Sequence, residues 1–189
     1  MKKERLIAFM DAVFAIIMTI LVLELEKPRT ASIAALWELK ENFIAYALSF
    51  FWLGTMWVNL HNEWHDFTQI SRSVVWWSVG LLFFSSLIPY AIQFVNMDYN
   101  SSVTQGFYGI MVLFVTLANT GLGYAVEMAN RDENDIKSRF ARIWKRQCLD
   151  IGIKVVGLVI TLTIFPSAML ISVLVTMLMM MLPTGTKQA

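Results

Sequence analysis

Cysteine is nearly absent. The chain carries only Cys148, which excludes an internal disulfide framework and a cysteine-based metal cluster. No stretch is collagen-like, Gln/Asn-rich or Ser/Gly-rich, and no internal repeat of solenoid length is visible. Charge is sparse and balanced: 15 Lys and Arg against 14 Asp and Glu leave a net +1. That total carries no information about partners, whereas the placement of the charges does. Nothing pairs a nucleophile with a base, so no enzyme activity, catalytic residue or cofactor is expected, and nucleic acid is not an expected partner.

What is abundant is apolar surface. Hydrophobic residues make up 57% of the chain, Trp occurs seven times and mean hydropathy is +0.59. Soluble domains are nearer about 45–50% apolar. A chain of 189 residues could form one or two soluble domains, but it could not hide this much apolar surface from water. The expectation is an all-α membrane protein with residues 1–189 forming a single domain.

Crossing the hydrocarbon core takes about 20 apolar residues as a helix. Such runs occur at about 6–25, 41–60, 74–95 and 104–126, followed by 149–182, which is too long for one span. Pro166 divides that last stretch into 149–165 and 167–182, because proline has no amide donor and disfavours helix in the residue before it. Six spans are expected.

The short loops allow positive-inside counting. With the N-terminus in the cytoplasm, the inner segments hold Lys2, Lys3, Arg5, Arg72, Arg131, Lys137, Arg139, Arg142, Lys145, Arg146 and Lys187. The outer segments hold Lys27, Arg29 and Lys40, so eleven inner cations face three outer ones. Both termini are expected in the cytoplasm and the protein in the plasma (inner) membrane. The first apolar run is too long for a signal peptide and lacks a small-residue cleavage site, so it is read as a retained span. The charged segment 128–147 reads as a solvated cytoplasmic loop or helix whose basic second half could contact anionic lipid.

Three stretches invite functional readings and reward them poorly. TGLGY (120–124) has the wrong order for the TVGYG filter of ordinary potassium channels, lies near the cytoplasmic end of its span, and is better explained by close helix packing. HNEWH (61–65) puts His61 and His65 on one helix face, but Glu does not directly follow the first His and Asp66 is the only further ligand at hand. No metal site is expected there; an interfacial hydrogen-bonding cluster is. The Met run at 177–181 and Trp76–Trp77 read as packing and interfacial belt. Lys154, inside span five, either snorkels or pairs with a carboxylate.

RLIAFMDAVFAIIMTILVLEL (5–25) holds the informative oddity, an Arg and an Asp at the front of a membrane span. An isolated charge at the bilayer centre costs roughly 2.5–3.5 kcal/mol on insertion scales. At about 100° per residue, Phe9, Ala12, Ile16, Thr19, Ile20 and Leu23 fall along one stripe, with Arg5 near it, and Asp11 points about 140° away from Ile16. The Asp side must therefore be buried against protein. Donors at the same depth lie in span two: Trp57, Asn59 and His61. Span one packs by its Asp side on span two, and the stripe faces lipid or other subunits.

Arg5, Phe9 and Asp11 form R-x-x-x-F-x-D, which resembles the Arg-x-x-x-Phe-Ser-Asp signature of the transmembrane protein 175 family of potassium channels. The likeness continues through Trp57, Asn59 and His61, through LIP (87–89) and through Tyr108–Gly109, with one six-span unit as in bacterial members. The resemblance implies a homotetramer in which span one lines a central pore permeable to potassium and other monovalent cations. It implies a hydrophobic constriction at Ile16, further narrow rings at Ile20 and Leu23, and a selectivity-related hydroxyl at Thr19. Asp11 would then anchor span one to its own subunit, and Arg5 would join that network or tune the local field. Met10 stands where the signature has Ser, although it too points away from the stripe. The rival expectations are a secondary transporter and a non-conducting membrane scaffold.

Overall fold

The computed structural model describes residues 2–65, 68–130 and 136–181, with the side chains of 65 and 136–143 left out. Within them every regular element is helical. Helix α1 (Lys3–Leu21) is followed by a 3-10 turn, Val22–Glu24, then α2 (Ile33–Glu38) and α3 (Lys40–His65). After these come α4 (Arg72–Ser86), α5 (Ile88–Met97), α6 (Ser102–Ala129), α7 (Ile136–Thr163) and α8 (Ala168–Met181). Among the described residues, four segments are long and apolar enough to cross a membrane: Lys3–Glu24, Lys40–Trp64, Arg72–Met97 and Ser102–Ala129. Helix α8 is shorter and strongly apolar.

Local chemistry explains where α2, α4 and α6 begin. The hydroxyls of Ser32, Ser71 and Ser101 accept from the backbone amides of Ala35, Val74 and Val103, meeting donors that a helix start leaves without intrahelical partners. The stretch 74–95, expected as one span, lies within two helices that meet at Leu87. Pro89, in the first turn of α5, supplies no amide to continue the ladder, and Leu87 closes α4 by donating to Phe84 O at 3.2 Å. At the other end of the chain α7 runs unbroken from Ile136, so residues 136–147 of the charged segment are helical and continuous with 148–163. Pro166 lies in the turn between α7 and α8.

Helix α6 is the central post, packing on α4, α5, α7 and α8. Glycines permit close approaches here and between α7 and α8: a Cβ on Gly121 of α6, inside TGLGY, would meet the Trp77 ring of α4 at 2.6 Å, and one on Gly157 of α7 would meet Ser172 Oγ of α8 at 2.5 Å. Helix α3 packs on α1, α5 and α8. Helix α1 lies on α3, α4 and α5 through Leu6, Met10, Phe14, Ile17 and Leu21, all buried. Asn96 Nδ2 donates to Glu24 O at 2.9 Å, which ties the far end of α1 to α5.

Candidate functional site

The alternation of buried and exposed positions along α1 follows the 3.6-residue period. Its buried face is the one just named. The opposite face carries Phe9, Ala12, Ile16, Thr19 and Ile20, all exposed in the isolated protomer, and continues into Leu23 on the 3-10 turn. The division is sharp: Ile16 is 56% exposed and its neighbour Ile17 only 3%. Leu23, at 77%, is the most exposed large apolar side chain of the stripe.

Thr19 is the one hydroxyl on this face. Its Oγ1 donates to the carbonyl of Ile16 at 2.8 Å. With the proton committed to the backbone, the lone pairs of the oxygen remain open to water or a cation on the exposed side. Arg5 is exposed one turn before Phe9.

On the α3 side, Trp57 Nε1 donates to Asp11 Oδ1 at 2.8 Å. Of the donors considered from the sequence, the indole meets the carboxylate, and neither Asn59 nor His61 does. His61 packs its ring on that of Trp57 instead, with centroids 5.8 Å apart, while Asn59 is half-buried and does not line this seam. Met10, Asp11, Trp57 and His61, with Ile7, Phe14, Leu60 and Trp64, line a crevice of about 10 Å³ between the helices. A space of that size admits about one water. Met10 is buried in this seam, so the residue that departs from the signature lies off the exposed stripe. The possible ligands His65, through its side chain, and Asp66 fall outside the described residues.

One cluster exceeded what sequence reasoning assembled. Lys154 is fully buried and neither snorkels nor stands alone: Nζ donates to Asp150 Oδ2 and to Thr116 Oγ1, each at 2.9 Å, and lies 5.1 Å from the Trp52 ring centroid. The i,i+4 spacing of Asp150 and Lys154 was a readable signal. The contributions of α3 and α6 were not.

These features define a multi-helix membrane protein whose first helix is pinned on one side and keeps an apolar, hydroxyl-bearing face free of its own protomer. Known proteins narrow the class. The profile of the family described as endosomal/lysosomal potassium channel TMEM175 matches residues 5–89. A protein named a potassium channel from Chryseobacterium sp. (strain P1-3) is 34% identical over 137 residues, covering 72% of this chain and 71% of its own. Another so named, from Streptomyces collinus (strain DSM 40733 / Tue 365), is 27% identical over 122 residues, covering 60% and 59%. The crystal structure of a lysosomal potassium-selective channel TMEM175 homolog from Chamaesiphon minutus superposes with a TM-score of 0.79 at 20% identity, covering 95% of this chain and 98% of that one. The chain belongs to the TMEM175 family, and it is a multi-pass membrane protein of a channel family rather than an enzyme.

Proposed function

We propose that the protein is a potassium-permeable channel, a homotetramer of six-span subunits with both termini cytoplasmic, in which the exposed stripe of α1 lines a central pore. The observation that carries this reading is the split character of α1: one face buried and anchored by Asp11 on Trp57, the other exposed, apolar and bearing a single oxygen at Thr19.

Four copies of Ile16 at one level form a ring that gates by dewetting when narrow. When wider, the ring admits an ion that has shed part of its water. Ile20 and Leu23 add further narrow rings, and the Thr19 oxygens offset part of the lost hydration. No rigid carbonyl cage surrounds the ion, so preference for potassium over sodium is modest. The lipid bilayer, monovalent cations and other copies of the chain are the partners, the inner membrane is the location, and no cofactor takes part.

One observation favours a carrier instead. The break at Leu87 between α4 and α5 resembles the discontinuous helices of secondary transporters. It lies ten residues from the end of that segment, and no internal repeat accompanies it. Recording the purified protein in planar bilayers separates the readings. Unitary currents larger in potassium than in sodium support the channel, slow saturable flux supports the carrier, and an electrically silent protein supports a scaffold.

A further inference from the structure

A lysine with no exposed surface inside a membrane helix bundle is costly unless every donor is met. Around Lys154 each one is. A protonated amine has three N–H groups, and the cluster offers the carboxylate of Asp150, the hydroxyl of Thr116 and the face of the Trp52 indole. Thr116 gives its own proton to Val112 O at 2.9 Å, so its oxygen is left as an acceptor for Lys154. The other carboxylate oxygen of Asp150 and the indole nitrogen of Trp52 are buried without a hydrogen-bond partner among the described residues. Asp150 is therefore committed to Lys154 alone, and Trp52 is held by its ring face and by packing.

Trp52 and Trp57 are both on α3. Five residues separate them along about 7.5 Å of axis and about 140° of rotation. The helix is gripped from two sides, by Lys154 of α7 at Trp52 and by Asp11 of α1 at Trp57. Apart from this contact, α3 packs mainly on α1, α5 and α8, and α7 on α6 and α8. Turning α3 about its axis swings Trp57 across the Asp11 carboxylate, and Lys154 opposes that turn.

We infer that Lys154 is a positioning residue of the ion pathway: from α7, with Asp150 and Thr116 holding its amine, it fixes the rotation of α3 through Trp52 and so sets where Trp57 holds α1. This rests on the reading that α1 lines the pathway. It gives the buried pair a role at a distance from the pore, acting through α3 and not on the ion.

The test uses Asp150→Asn/Lys154→Met in the full-length protein, reconstituted after its assembly has been checked by size exclusion. The exchange leaves net charge unchanged and strands no carboxylate, so the field along the pore is preserved while the grip on Trp52 is lost. The expected result is an assembled protein whose reversal potential, with potassium on one side and sodium on the other, moves toward zero. A purely structural pair would lower thermal stability and leave the reversal potential of assembled protein alone; that outcome overturns the inference. Should the double variant fail to assemble, Trp52→Phe, which keeps the ion pair and offers it a smaller and weaker ring, decides by the same measurement. A shift toward zero supports the inference and a wild-type value overturns it. Ile16→Asn recorded in parallel keeps the two ideas apart. If it raises current while the Lys154 and Trp52 variants behave as wild type, only the role of Lys154 fails; if it leaves current unchanged, the pathway reading fails and takes this inference with it.

Discussion

Trp57 Nε1 donates to Asp11 Oδ1 at 2.8 Å, and this bond joins α1 to α3 at a carboxylate set among the apolar residues of the first span. Both residues are half-buried. The acid is therefore turned away from the exposed stripe and spent on holding α1 to its own protomer.

Asp11→Ala should act on assembly and not on ion choice. Leaving the indole donor unmet costs on the order of 1–3 kcal/mol per subunit, toward the lower end because the site is partly exposed, and the loss is repeated in every copy of an oligomer. Tetramer yield and thermal stability should fall. Asp11→Asn keeps an acceptor oxygen and should be milder. Full yield with altered selectivity in Asp11→Ala would mean that the carboxylate faces the ions.

Thr19→Val preserves shape and removes the only oxygen on the stripe. The bond from Thr19 to Ile16 O is local and exposed, so its loss should leave folding nearly unchanged. The channel should still conduct, with its reversal potential in mixed potassium and sodium moved toward zero. An unchanged reversal potential would confine the hydroxyl to its own helix backbone.

Cys148 is exposed beside Lys145 and Arg146 on α7. With the termini in the cytoplasm, a membrane-impermeant thiol reagent should label it in inside-out vesicles and not in intact cells. Labelling of intact cells would invert the orientation and place Arg5 and Asp11 at the outer surface.

How far the sequence alone reached depended on the range of each interaction. The two faces of α1 were legible because a regular helix over Lys3–Leu21 lets residue spacing translate directly into direction. That arithmetic lapses at Val22, where the tighter 3-10 turn carries Leu23. The carboxylate of Asp11 plainly needed a partner, but choosing Trp57 over Asn59 or His61 required the rotation of α3, which only packing decides. Pro89 was visible, yet membrane helices tolerate proline, so the break at Leu87 was not predictable from residue type. Helix α2 is six residues long, too short to leave a periodic signal. The hold of Lys154 on Trp52 joins residues far apart in sequence, and local spacing says nothing about it.

The central claim is that the exposed stripe of α1 faces the ions, and the most direct measurement is the unitary potassium current of Ile16→Asn beside Ile17→Asn. The two positions share a helix, a residue type and a depth, and differ in direction: 56% exposed against 3%. An amide at Ile16 should wet the ring, raise the current and weaken the preference for potassium, at little structural cost because it meets a watery lumen. At Ile17 the same amide enters the packed seam, where an unmet polar group costs about 1–3 kcal/mol, so assembly should suffer and the current of any surviving channels should not rise. Equal effects at both positions, or no rise in current from well-assembled Ile16→Asn, would contradict the assignment of α1 to the pathway.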